Sequence, residues 1–254
     1  MKRLFRPPLG RKVLVWLGLR TREVLGAADP KQKADALWRS TARHRYRKEI
    51  LAALLRMTSG VGRCMYCEDG PGDGVEHRWP KSRYPERTFC WENLLVVCGR
   101  CNRHKLARFP LDERGEPLLI DPTAEDPADY LELSPKQGMW VPKDESRKGQ
   151  ETLRVIKLNR WELVQARQDA WVSLQTLLVA YERHRADGDR AYANELRQAI
   201  CRHPFSALLH YLLRVLELSH PEPFLVQPDR LDALRSLVPE IQGWLEGLGG
   251  ALPS

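Results

Sequence analysis

Residues 64–82 read CMYCEDGPGDGVEHRWPKS, and residues 93–105 read NLLVVCGRCNRHK. Each stretch carries a Cys-x-x-Cys pair, Cys64 with Cys67 and Cys98 with Cys101. A tight turn, or the first turn of a helix, lets such a pair present two sulfurs to one ion. Two pairs complete a tetrahedral four-sulfur site with Zn–S distances of about 2.3 Å. With a thiolate at every corner no position stays open for substrate, so the zinc predicted here is structural. Between the pairs lie Gly/Pro/Asp-rich turns and one short apolar run, too little for a core. Zinc binding, worth on the order of 10 kcal/mol, supplies what packing lacks. The plain alternative is a set of reduced core cysteines. A thioredoxin-like redox pair is disfavoured, because there are two pairs and no βαβ pattern around them.

The rest of the composition fits a soluble globular chain of 254 residues, 43% hydrophobic and 29% charged. Lys and Arg number 41 against 33 Asp and Glu, a net charge of +8 that favours polyanions, nucleic acid first, as partners. Six cysteines are too few and too clustered for a disulfide scaffold, and Cys90 and Cys201 stand apart from the pairs. "VLVWLGL" at 13–19 is closed by Arg20 and Arg22, with no small-residue cleavage site, and is too short for a membrane span. A cytoplasmic location, with no membrane, is therefore expected.

Four regions are predicted: 1–58, a basic arm and helix; 59–111, the cysteine module; 112–150, short strands and a linker; and 151–254, a helical region. Residues 1–30 read as irregular, with Pro7 and Pro8 interrupting "RPPLGRK". One helix is predicted over 31–57 from Leu37, Ile50, Leu51, Leu54 and Leu55, with Arg39, Arg43, Arg45, Arg47 and Lys48 as a solvated or phosphate-gripping face. "SGVG" at 59–62 stops it. Short strands are predicted in "LLIDPTAEDPADYLEL" and a hairpin through "SPKQG" into "MWV", followed by a linker over 143–150. A long helix capped by Asn159 should run to His184, with further helices near 191–201, 206–218 and 229–248. The expected fold is α+β and predominantly helical.

A structural zinc leaves Glu76, His77, Asn93 and Asn102 unexplained. Phosphodiester hydrolysis needs an activated water and a counterion for the charge that builds on phosphate and leaving oxygen. A neutral imidazole can take the proton, and a hard divalent cation needs few protein oxygens when phosphate and water fill its other positions. The motifs "CMYC", "EH", "NL" and "CGRCNRHK", in that order, resemble the ββα-metal motif of the HNH endonuclease family. The resemblance implies a small ββα zinc-stapled module between the basic N-terminal helix and the C-terminal bundle. It implies His77 as general base, Glu76 and Asn102 as ligands of a catalytic Mg²⁺ or Mn²⁺, and Asn93 as the residue positioning the His77 loop. The family usually has Asp where this chain has Glu76. For the third motif letter both Asn102 and His104 are available, and Asn102, directly after the second pair, is preferred. Lys81, Arg100, Arg103, His104, Lys105 and Arg108 are candidate phosphate contacts, which position a strand without reading its sequence.

Further stretches, "VEHRWPKSRYP", "WENLLVVCGRCNRHK", "LLIDP", "EDP" and "ETLRVIKLNRWEL", extend the likeness over 64–167, with weaker matches at "HPFS" and "RPP". They resemble the HNH subunit family, PtuB, of Septu-type anti-phage systems, also found with some retrons. That resemblance implies an effector nuclease acting with an ABC-like ATPase subunit, PtuA. The chain has no GxxxxGK[ST] phosphate loop of its own. The C-terminal half would be a docking body or a buttress. Two other functions stay open: a non-catalytic zinc module that binds nucleic acid or a partner, and an RNA-cleaving growth-arrest nuclease acting, for example, on tRNA.

Overall fold

The structure, a computed structural model, describes residues 1–58 and 62–248, the side chains of 246–248 apart. Helix α1 is Arg11–Leu25 and turns Val13, Trp16, Leu17 and Val24 inward. This replaces the irregular segment expected over 1–30. The spacing of those four residues was a helical signal, diluted by Gly18 and the charged Arg20 and Arg22 on the outer face. The single helix expected over 31–57 is two, α2 at Pro30–Ser40 and α3 at Arg45–Arg56. Asp29 caps α2 through Gln32 N (2.9 Å), and Pro30 sits where a missing N–H costs nothing. The break has a local cause. Thr41 Oγ1 donates back to Leu37 O (2.7 Å), and extended His44 starts α3 by accepting from Tyr46 N through Nδ1 (3.3 Å). Positions 59–61 of the expected helix stop lie outside the described residues, and Gly62 follows at φ 76°.

The cysteine-bearing segment forms two short antiparallel strands and a helix. Strand β1 is Gly74–His77 and β2 is Leu94–Val97, with Glu76 opposite Leu95 and His77 opposite Leu94. All four residues of β2 are buried, an unbroken apolar run that accepts packing on both faces. Helix α4, Gly99–Lys105, opens directly from β2. The first Cys pair is stitched to the same sheet by Met65 N donating to Val96 O (3.0 Å).

Beyond it, β3 (Leu131–Ser134) and β4 (Met139–Pro142) form the expected hairpin. Gly138 takes φ 67° in its turn, and a β-carbon there would collide with Val164 O. Residues 118–120 are not a strand. Leu118 N bonds to Pro110 O (3.0 Å) and Ile120 N to Thr152 Oγ1 (3.0 Å), so the backbone is satisfied singly. The linker expected over 143–150 is mostly helical turn: α5, Arg147–Ile156, starts inside it, capped by Ser146 Oγ on Gly149 N (3.1 Å). Helix α6 is Trp161–Ala186, one residue later than an Asn159 cap predicts, with Arg160 at the N-cap. Asn159 instead holds β4, accepting from Trp140 N (2.9 Å) and donating to Trp140 O (2.7 Å). Helices α7 (Arg190–Cys201) and α8 (Ala207–Leu216) follow, and the last expected helix divides into α9 (Leu231–Ser236) and α10 (Val238–Leu248), parted near Pro239, which lacks the N–H an unbroken helix needs. The fold is α+β and predominantly helical, as expected. No described helix is long and apolar enough to cross a membrane.

Candidate functional site

The four sulfurs of Cys64, Cys67, Cys98 and Cys101 lie within 4.8 Å of one another. Cys67 Sγ and Cys98 Sγ, one from each pair, are 3.8 Å apart. A tetrahedron with Zn–S of about 2.3 Å has edges of about 3.8 Å, so the sulfur set fits zinc. All four cysteines are free thiols and buried. Hydrogen bonds from Cys101 and then Cys64 lower the Cys98 thiol, and the same donors pull Cys67 down to about 6; burial raises Cys64, and the neighbouring sulfurs raise Cys101. Cys98 Sγ also caps α4, accepting from Cys101 N (3.4 Å).

Strand alternation sends Glu76 and His77 to different neighbours. Glu76 faces α4, where its Oε1 accepts from Lys105 Nζ at 2.7 Å. The same ammonium donates to His77 O (2.9 Å), so one cation from the second cysteine helix ties down both residues of the pair. Lys105 is 0% exposed. It is an internal ion-pair partner here, not the surface phosphate contact its sequence position suggested. Burial raises the Glu76 carboxyl above its usual range although Lys105 opposes it, and burial lowers the Lys105 ammonium. Desolvation thus outweighs attraction for both partners, the balance typical of pairs kept for position more than for stability. Lys105→Met should therefore cost about 3 kcal/mol, by stranding the carboxylate, while Glu76→Gln with Lys105→Met should recover most of that loss. Urea unfolding of the two variants measures both.

The His77 ring is buried. Its Nε2 lies 3.1 Å from Thr88 O, and a carbonyl only accepts, so the proton sits on Nε2 and Nδ1 carries the lone pair. Burial pushes the imidazole down to about 3, so it is neutral at pH 7. Trp38 of α2 meets the ring edge-on at 4.2 Å. Asn93 braces the loop that follows: Oδ1 accepts from Trp79 N (2.7 Å), and Nδ2 donates to Trp79 O (3.0 Å) and Arg87 O (2.9 Å). Asn102 lies on α4 three residues before Lys105, on the same helix face.

Of the remaining candidate phosphate contacts, Lys81 pairs with Asp35 of α2 and Arg100 with Glu162 of α6 (2.7 Å). Arg103 and Arg108 are exposed and His104 half-buried beside them. Three residues that carry the site were not singled out from the sequence. Arg78 is buried and donates to Leu119 O (2.7 Å) near Asp121 and Glu125, anchoring the end of β1. Arg6 donates to Trp91 O (2.9 Å) and Leu94 O (2.8 Å), clamping the start of β2. Arg160 places both terminal nitrogens 3.9 Å from Cys101 Sγ, where its charge offsets that of a thiolate centre. "HR" after an acid and "RPP" at the start were the available signals, but an arginine reads as surface by default.

Fold and cysteine cluster define a mostly helical α+β protein organised around a four-sulfur centre able to hold zinc. The chain is PtuB-like: it is 32% identical over 152 residues to the Septu protein PtuB of Bacillus mycoides (strain KBAB4), spanning 48% of this chain and 51% of that protein. It is 34% identical over 116 residues to the Septu protein PtuB of Bacillus thuringiensis, 44% of this chain and 41% of the relative. The chain thus spans about half the length of the curated relatives it matches, or less. No protein-family model matches it.

Proposed function

We propose that the chain is a metal-dependent HNH-type endonuclease that hydrolyses phosphodiester bonds of nucleic acid, DNA in preference to RNA, as part of a Septu-type anti-phage system with an ABC-like ATPase partner. One observation carries the catalytic part: the buried Lys105 ammonium joins the Glu76 carboxylate to the His77 carbonyl, so the Glu-His strand and the second cysteine helix form one unit. The likeness to proteins named Septu protein PtuB supports the defence role.

In this reading His77, neutral and protonated on Nε2, takes the proton of the attacking water through Nδ1. Thr88 O fixes the tautomer, and Asn93 fixes the loop that runs from Trp79 to Thr88. Asn102, and Glu76 through the oxygen that Lys105 does not hold, would supply hard oxygen donors to Mg²⁺ or Mn²⁺. The ion supplies charge stabilisation at phosphate and leaving oxygen when bound. Arg103, His104 and Arg108 line the outer surface of α4 and the turn after it, suited to backbone phosphates.

The burial of His77 under Trp38 favours one rival, a zinc module that binds nucleic acid or a partner without cutting. Supercoiled plasmid incubated with the zinc-loaded chain, with and without added Mg²⁺, separates the two. Nicking that requires Mg²⁺ is the expected result. Binding without nicking, in the presence of the ATPase partner as well, overturns the nuclease. Total RNA in a parallel tube tests the growth-arrest alternative.

A further inference from the structure

Helix α2 covers the His77 ring and occupies the cations around it. Asp35 and Trp38 stand three residues apart, on one face of α2. Asp35 Oδ1 takes the ammonium of Lys81, and its Oδ2 takes Arg39 (2.7 Å). Trp38 packs edge-to-face with His77, ring centroids 4.2 Å apart, and its face carries the Arg47 guanidinium 3.1 Å from the ring centroid. Lys81, Arg47 and Lys105 are the cations whose charge acts on His77. Lys105 is spoken for by Glu76, which leaves Arg47 and Lys81 as the pair around the ring.

Arg47 is the unusual member. Its Nη1 is buried without a hydrogen-bond partner among the described residues. Buried guanidinium N–H groups are normally paired, and leaving one unpaired is unfavourable. An indole face offers a cation no acceptor atom. A phosphate oxygen does, in the planar geometry that arginine suits. Asp35 meanwhile holds on Lys81 the place an anionic oxygen would take.

The cover is lightly held. Of the 11 residues of α2 only Ala34 is fully buried, while Leu37 and Trp38 are partly buried against the core. Short turns flank it at 26–29 and 41–44, and a helix of that length is marginal without packing. Local opening draws on short elements with few fully buried side chains.

We propose that α2 is a displaceable cover over the His77 site, and that Arg47 and Lys81 bind the substrate's phosphates once Trp38 and Asp35 withdraw. This rests on the nuclease reading for the identity of the substrate, a nucleic-acid backbone. Phosphate exchanges for the Asp35 carboxylate on Lys81 and fills the open valence of Arg47, and the same movement uncovers the imidazole.

The test uses the zinc-loaded full chain without added Mg²⁺ or Mn²⁺, with a short labelled DNA duplex, followed by fluorescence anisotropy and by hydrogen exchange of the α2 amides. Asp35→Asn should speed α2 exchange and tighten duplex binding about tenfold, equivalent to ~1.4 kcal/mol. Adding Arg47→Ala to that variant should erase the gain. Duplex should also speed α2 exchange in the unaltered chain. Glu195→Gln, at an exposed position of α7, matches the charge change and should leave affinity as it is. Unchanged α2 exchange with duplex, or an equal gain from Glu195→Gln, overturns the cover. Neither readout needs cleavage. A chain that opens α2 but never cuts refutes the nuclease alone, and one that cuts through His77 with α2 unmoved refutes the cover alone.

Discussion

Replacing Cys98 with serine is expected to remove zinc and unfold the module around it. A zinc-loaded wild-type chain should carry one ion per molecule by metal analysis, and Cys98→Ser close to none. The magnitude follows from comparison. A structural zinc contributes on the order of 10 kcal/mol, while a whole domain is stable by about 5–15 kcal/mol. Local structure adds to the loss. Cys98 Sγ is the N-cap of α4, which has only seven residues and projects Lys105 onto Glu76. The opposite knuckle has its own ties: Glu68, next to Cys67, accepts from Ser206 Oγ (2.7 Å) and takes Phe205 N on its carbonyl (3.2 Å). Zinc loss should therefore spread from the knuckles to the foot of α8. A drop of about 10 °C or more in melting temperature is the expected readout, since about 1 kcal/mol moves a chain of this size by 2–4 °C. A Cys98→Ser chain that melts with the parent and is equally metal-free would show that the sulfurs are core residues and no more.

Legibility in the sequence tracked how local each determinant was. The cysteine cluster was readable because the ligand chemistry is carried by residue type and spacing alone, and four sulfurs at 64, 67, 98 and 101 leave little freedom. The long helix at Trp161–Ala186 was readable from its apolar spacing. Breaks were harder. Thr41 and His44 divide α2 from α3 through side-chain bonds to nearby backbone, and neither residue type forbids helix. Ser146 starts α5 inside a segment that composition marks as linker. Within the site, the sequence names Glu76, His77, Asn93 and Asn102 but not their partners. Whether Lys105 faces solvent or Glu76 depends on how α4 lies on β1, a tertiary fact with no sequence period. The same holds for Trp38, which local pattern assigns to a helix face and tertiary packing assigns to His77. Arg6, Arg78 and Arg167 are the extreme case: long basic side chains turned inward to backbone carbonyls, against the usual sorting of charge to the surface.

His77→Ala should lower plasmid nicking by about 10²–10⁴-fold, the range a positioned general base contributes, with zinc content unchanged. Alanine alone is an ambiguous probe, because the ring is buried. Its removal leaves Thr88 O without a donor and opens a gap beneath Trp38, costs that reach a few kcal/mol. His77→Gln separates structure from chemistry. The glutamine amide can donate to Thr88 O from nearly the position of Nε2, and it has no basic atom to take a proton from water. Stability should return towards wild type in the glutamine variant while nicking stays lost. Two outcomes are decisive against the assignment: a glutamine variant that nicks at the parental rate, or an alanine variant whose residual rate tracks only its unfolded fraction across a urea series. If the base is His77, both variants fail at the chemical step and still bind duplex without added Mg²⁺, because Arg47, Lys81 and the exposed arginines of α4 hold the backbone independently of the imidazole.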